Sequence, residues 1–271
     1  MTLPSNPNLI STRIWHETPE ADDAFATRSA HCHGYDVYGA MLGNASYTDM
    51  LFLMLRGEAP SARQARLFEA AAVALANPGP RDASVHAAMC GGVCGSTAAA
   101  TLIAALSVGA GASGGAREVL AAMQGWEQCG ASLDAWRAHF AAPADDGVSI
   151  WPRQEHAPGF APHGVAAAGI VRATLATLAG CDDSGALAFL LAEQAALEAA
   201  AGHPLAMTGV AAAALHALGF TAEQGEMLFL MLRLPGAAAH ALEQRAYGFR
   251  RFPFYTVALT DDPRAAHKEA A

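Results

Sequence analysis

The sequence predicts an all-α protein, and three observations carry that prediction. Alanine, the strongest helix former, dominates most segments; runs of alternating Val, Ile, Thr and aromatic residues are hard to find; glycines and prolines punctuate the chain at helix-length intervals. Hydrophobic residues make up 53% of the 271 and charged residues 15%, so the chain has the apolar surface to bury a substantial core.

Periodicity and punctuation place helices over residues 47–55, 62–76, 85–108, 116–124, 133–139, 165–179, 184–201, 205–218, 222–232 and 236–247. Ser61 after Pro60 caps the second, and Thr221 followed by Glu223 and Gln224 caps the ninth. The third is so rich in Gly and Ala that neighbouring helices can approach it closely, which suits a central helix packed on all sides and a seam with a second copy of the chain. Residues 125–161, with Trp126, Trp136, Pro143, Asp145, Asp146, Trp151 and Pro152, break the alanine pattern and read as a lid or connecting region.

Residues 83–116 contain no Lys, Arg, Asp or Glu, a length that spans a bilayer. The run is mostly Ala, Gly, Ser and Thr, holds His86, and lacks an aromatic belt and flanking basic clusters, so it reads as a buried helix and no membrane partner is expected. Sixteen Lys and Arg against 25 Asp and Glu give a net charge of −9, which repels a phosphate backbone and argues against nucleic acid. The five cysteines are odd in number and scattered, and residues 1–8 have neither a basic start nor an apolar core, so a reducing cytoplasm is the expected location.

Several chemistries drop out on spacing. His31, Cys32 and His33 are adjacent, a poor arrangement for one metal ion, and read as a polar turn before Gly34. Cys90 and Cys94 share a helix face in a small-residue helix and read as packing groups. Gly91, Gly92 and Gly95 lie in a strandless context, so no dinucleotide or phosphate loop is present, and Ser113 in Gly-Ala-Ser-Gly-Gly follows a helix, not the strand of a nucleophile elbow. The remaining candidates are histidines and arginines near helix ends: His86, His163, His240, Arg233 and Arg251.

Residues 34–61, GYDVYGAMLGNASYTDMLFLMLRGEAPS, resemble the opening of the citryl-CoA lyase and citrate synthase pattern. Ala-Ser-Val-His-Ala at 83–87 resembles its small-residue segment ending in an active-site histidine, and Gly114, Gly115 and Ala116 its Gly-Gly-Ala. Gly219-Phe220, the run to Arg233, Gly236, AHALEQ at 239–244, and Arg250, Arg251, Phe252, Pro253 and Tyr255 are similar to its final third, so the resemblance covers nearly the whole chain.

The resemblance implies a citrate synthase-like helical fold, one domain over 1–271 whose larger part spans about 30–124 and 205–271 and whose smaller part spans about 125–204. It implies a homodimer and carbon–carbon bond making or breaking between an acyl-CoA and a carboxylated oxo-acid, with a coenzyme A thioester as substrate and no tightly bound cofactor or metal. On this view His86 and His163 are acid and base, Arg233 and Arg251 hold substrate carboxylates, and Ser113, before Gly-Gly-Ala, joins them in substrate binding.

This chain departs from the pattern at Thr208, which stands where the family places an aspartate; a threonine hydroxyl is no base near neutral pH and contributes a hydrogen bond instead. The histidine of the family's Pro-Gly-Phe-Gly-His loop is displaced by one residue in Pro158-Gly159-Phe160-Ala161-Pro162-His163, the basic residues after it are missing, and an Asp-His pair has become Asn77-Pro78. A divergent lyase and a catalytically silent homologue that binds a carboxylate metabolite or a partner protein are both consistent with these residues.

Overall fold

A computed structural model describes residues 10–142, 156–182, 184–253, 255–257 and 260. Among them lie strands β1 (Trp15–Pro19), β2 (Thr27–Cys32) and β3 (Tyr35–Asp36), then helices α1 (Tyr47–Arg56), α2 (Ala62–Leu75), α3 (Ala83–Val93), α4 (Ala98–Gly109) and α5 (Ala116–Cys129). After these come α6 (Leu133–Ala141), α7 (Gly169–Ala179), α8 (Ala186–Ala201), α9 (Met207–Ala217) and α10 (Ala222–Tyr247). With 61% helix against 6% strand, the all-α class is borne out. Of the expected lid or connector, Pro143, Asp145, Asp146, Trp151 and Pro152 lie outside the described residues.

The small antiparallel sheet β1-β2-β3 is the element that composition did not announce, because its strands carry few of the β-branched residues that mark strands. Cys32 pairs with Tyr35 across a two-residue turn in which His33 and Gly34 both take positive φ, 49° and 89°. That is the twist-matched hairpin turn; of the polar turn expected at His31, Cys32 and His33, His33 belongs to it, whereas His31 and Cys32 are paired in β2 and Cys32 is buried.

Two differences from expectation change the number of helices. The single helix over 85–108 is two helices, because Gly95 adopts φ 73° and Thr97 then caps α4 by accepting from Ala100 N. Conversely, α10 runs unbroken through Pro235, joining the two helices expected there. Gly236 N donates to Ala76 O (2.8 Å) at the end of α2, and a Cβ at Gly236 would lie 2.7 Å from Asn77 Cα. Only glycine lets the α2–α3 connection pass so close to α10.

The main core draws on α1, α2 and α5 to α10, with α9 at its centre packed against α2, α5, α7, α8 and α10. Phe52, Phe68 and Phe220 meet ring to ring, and Trp126 packs edge-on against Trp136 at 5.2 Å, so these two tryptophans of the expected lid belong to the core. Helix α9 is buried from Thr208 to Leu215, as a helix apolar all round should be. Val85, Ala88, Ala105, Ala237 and Ala241 form a second cluster of α3, α4 and α10, where Gly92 lies directly against the Ala241 backbone. Helix α4 nevertheless turns Ile103 and Val108 to the surface, so the small-residue segment is not packed on all sides. Among the described residues no helix is long and apolar enough to cross a membrane.

His216 stacks on Trp126 (5.7 Å, interplanar 24°), and burial lowers its pKa against the upward pull of Glu127 and Asp182. Below the ordinary value of 6.5 the unfolded chain takes up a proton that the folded ring resists, so stability falls as pH drops through that value. His216→Phe keeps the stacked ring and is expected to lessen the loss of Tm between about pH 7 and about pH 5. An unchanged slope of Tm against pH would contradict this account of His216.

Candidate active site

A partly open cavity of about 360 Å³ lies between the end of α2, the starts of α3, α5, α7 and α9, the loop at 160–162, and Phe229 and Arg233 of α10. Its walls are chiefly apolar, with Leu75, Phe160, Ile170, Met207 and Phe229 contributing the larger side chains. Among the described residues, three ionisable groups line it: Glu118, Asp82 and Arg233.

Glu118 occupies the third position of α5 and is 2% exposed. A carboxylate so buried needs hydrogen-bond donors to replace water. Its Oε1 accepts from Thr208 Oγ1 (2.6 Å) and Gly159 N (3.0 Å), its Oε2 accepts from Gly114 N, and the buried His156 ring brings Nε2 to 3.5 Å from Oε2. The chain reaches this arrangement because two backbones nearly touch. A Cβ at Gly159 would meet Gly209 Cα at 2.9 Å, and Ala206 N donates to Gly159 O (2.9 Å) while Ala161 N donates to Pro204 O (2.7 Å), fastening the loop to the start of α9.

Arg233 is 7% exposed, and burial lowers its pKa while Asp82 pulls it back up. Its Nη2 donates to Asp82 Oδ2, its Nη1 donates to Gly114 O (3.2 Å), and its guanidinium lies 4.6 Å from the Phe229 ring centroid. Asp82 is at the same time the N-cap of α3, accepting from Ser84 N and Val85 N. The Gly114 peptide therefore joins the two charged groups: its N–H serves Glu118 and its C=O serves Arg233. Gly114 holds φ 70°, a conformation that favours glycine.

Of the residues assigned from sequence, Thr208 and Arg233 meet at this cavity. His86 stacks instead on Phe252 (5.6 Å) and approaches Tyr255, His163 is exposed while its neighbours Ala161 and Pro162 form the wall, and Ser113 is exposed beside Gly114. Arg251 is exposed in a 3-10 turn, with its guanidinium 5.7 Å from the Tyr247 ring. His240 holds Asn77 Oδ1 (3.2 Å) at the cavity margin. Sequence reading missed Glu118, Asp82, Asn77 and His156. For Glu118 the available signal was a glutamate three residues after a glycine N-cap, and for Asp82 an N-cap aspartate hidden by a helix start set too late.

No protein-family model matches the sequence, and no curated protein matches it. Solved structures do. Citryl-CoA lyase from Hydrogenobacter thermophilus superposes with a TM-score of 0.68 at 19% identity, over 96% of this chain and 99% of that one. ATP citrate lyase from Methanothrix soehngenii, in complex with citrate and coenzyme A, gives 0.67 at 15% identity over 95% of this chain and 43% of its own. A variant of the Methanosaeta concilii ATP citrate lyase in complex with (3S)-citryl-CoA gives 0.68 at 14% identity, over 96% and 43%. The protein thus has a citrate synthase-like helical fold. More particularly it is similar in fold to citryl-CoA lyase over nearly the whole length of that protein, and spans less than half of ATP citrate lyase.

Thr208→Val removes the hydroxyl that donates to Glu118 and keeps the shape of the side chain. Loss of one hydrogen bond to a buried carboxylate is expected to lower the unfolding free energy by about 1–3 kcal/mol in denaturant melts. An unchanged midpoint would show that the Thr208 bond to Glu118 carries no weight.

Proposed function

We propose that the protein makes or breaks a carbon–carbon bond next to a coenzyme A thioester, with Glu118 as its acid–base group and Thr208 holding that carboxylate in place. The observation that carries this reading is a buried carboxylate in the cavity wall, hydrogen-bonded to the threonine that stands where the resemblance puts an aspartate. The lost carboxylate on α9 has a counterpart on α5. The fold likeness to structures that hold citrate, coenzyme A and citryl-CoA supports the thioester half of the reading.

In the condensing direction Glu118 takes a proton from the carbon beside the thioester carbonyl. The enolate then attacks the carbonyl carbon of an oxo compound, and the resulting alkoxide takes the proton held by Glu118, which gives a hydroxyl and returns the carboxylate. Cleavage runs the same steps backwards: the hydroxyl loses its proton, the bond breaks to a carbonyl and a thioester enolate, and Glu118 returns the proton to carbon. Apolar walls strengthen every electrostatic contact made inside the cavity. Asn77 Nδ2 has no hydrogen-bond partner among the described residues, because Oδ1 is the atom held by Gly79 N and His240, and this amide is the donor available to an oxo group. The reading includes a homodimer formed through the exposed apolar residues of α4 and α10, Ile103, Val108 and Leu242. Binding without turnover is the second reading, favoured by the lack of a histidine among the described residues that line the cavity.

Calorimetric titration of the protein with coenzyme A and its acyl thioesters, followed by product analysis, tests the proposal. Glu118→Gln is expected to retain thioester binding and to lose turnover by roughly 10²-fold or more. Undiminished turnover in that variant would exclude Glu118 as the acid–base group.

A further inference from the structure

The charge balance of the cavity says more about the second substrate. Among the described residues that line it are two carboxyl groups, Asp82 and Glu118, and one guanidinium, Arg233, so acidic groups outnumber basic ones there. The guanidinium among these described residues is engaged on two sides, by the Asp82 carboxylate and by the Gly114 carbonyl, with Phe229 against its face. A substrate carboxylate seeking Arg233 would have to displace Asp82, and Asp82 is anchored as the N-cap of α3. The rest of the wall is apolar apart from the hydroxyl of Thr208 and the amide of Asn77.

We infer that Asp82 is a specificity-determining residue that occupies Arg233 and turns the cavity toward an oxo partner without carboxylate groups, a small uncharged ketone or aldehyde whose alkyl or aryl body meets Leu75, Phe160, Ile170, Met207 and Phe229. This rests on the reading of the cavity as a thioester and oxo-compound site. It departs from the carboxylated oxo-acid that the sequence resemblance implies. Atoms balance as in the mechanism above: the product is a 3-hydroxyacyl thioester with no free carboxylate, and cleavage returns the ketone or aldehyde and the acyl thioester.

The test is titration of the full chain with coenzyme A, with 3-hydroxyhexanoyl-CoA and with citryl-CoA, repeated on Asp82→Asn. Asparagine caps a helix as well as aspartate does, so α3 is kept while Arg233 loses its counter-charge. The wild-type protein is expected to bind 3-hydroxyhexanoyl-CoA at least tenfold more tightly than citryl-CoA, and Asp82→Asn to shift the ratio at least tenfold toward citryl-CoA. Wild-type binding of citryl-CoA as tight as that of 3-hydroxyhexanoyl-CoA would overturn the inference even if the variant failed to fold, as would a folded variant with an unchanged ratio. Failure of all three ligands to bind the wild-type protein would instead overturn the thioester reading beneath it.

Discussion

A carboxylate taken out of water must find donors, and the burial of Glu118 organises the centre of this protein. Donors arrive from three separate stretches of chain: the turn before α5 through Gly114, the loop before α7 through Gly159, and the start of α9 through Thr208. Each stretch has to come within hydrogen-bond reach of one side chain, and that requirement explains the glycines there. A side chain at Gly159 or Gly209 would push the loop off α9 and strip Glu118 of a donor.

The ion pair of Arg233 with Asp82 is the second fixed point, and the Gly114 peptide ties it to the first. Asp82 starts α3, Arg233 sits midway along α10, and the passage of the α2–α3 connection over Gly236 brings Asn77 to the same cavity. The cavity is therefore a consequence of how helix starts are capped and charges are paired. Its interior is apolar with two anchored charged clusters, a place where a proton can be moved and where a further negative charge is poorly received.

Much of the architecture was legible in the sequence, because alanine-rich amphipathic segments with Ser61 and Thr221 caps declare helices on local grounds alone. The misjudged boundaries turned on tertiary contacts: Pro235 lies inside α10 where Gly236 N finds an acceptor on α2, and residues 85–108 break at Gly95 despite good helix formers on both sides. The cavity was only half legible. Thr208 and Arg233 follow from the order of motifs, whereas Glu118, Asp82 and His156 gain meaning only when residues far apart along the chain meet, as Glu118 and Gly159 do across 41 positions. His86, conspicuous in sequence, is used against Phe252 and Tyr255.

The central claim is that the buried carboxylate of Glu118 moves a proton on the carbon beside a thioester, and proton exchange reads that step without knowledge of the second substrate. Acetyl-CoA incubated with the protein in D2O, followed by proton NMR, is expected to lose its methyl signal to deuterium at a rate proportional to protein concentration. A methyl signal that persists while calorimetry shows acetyl-CoA bound would contradict the account and leave a binding protein in its place.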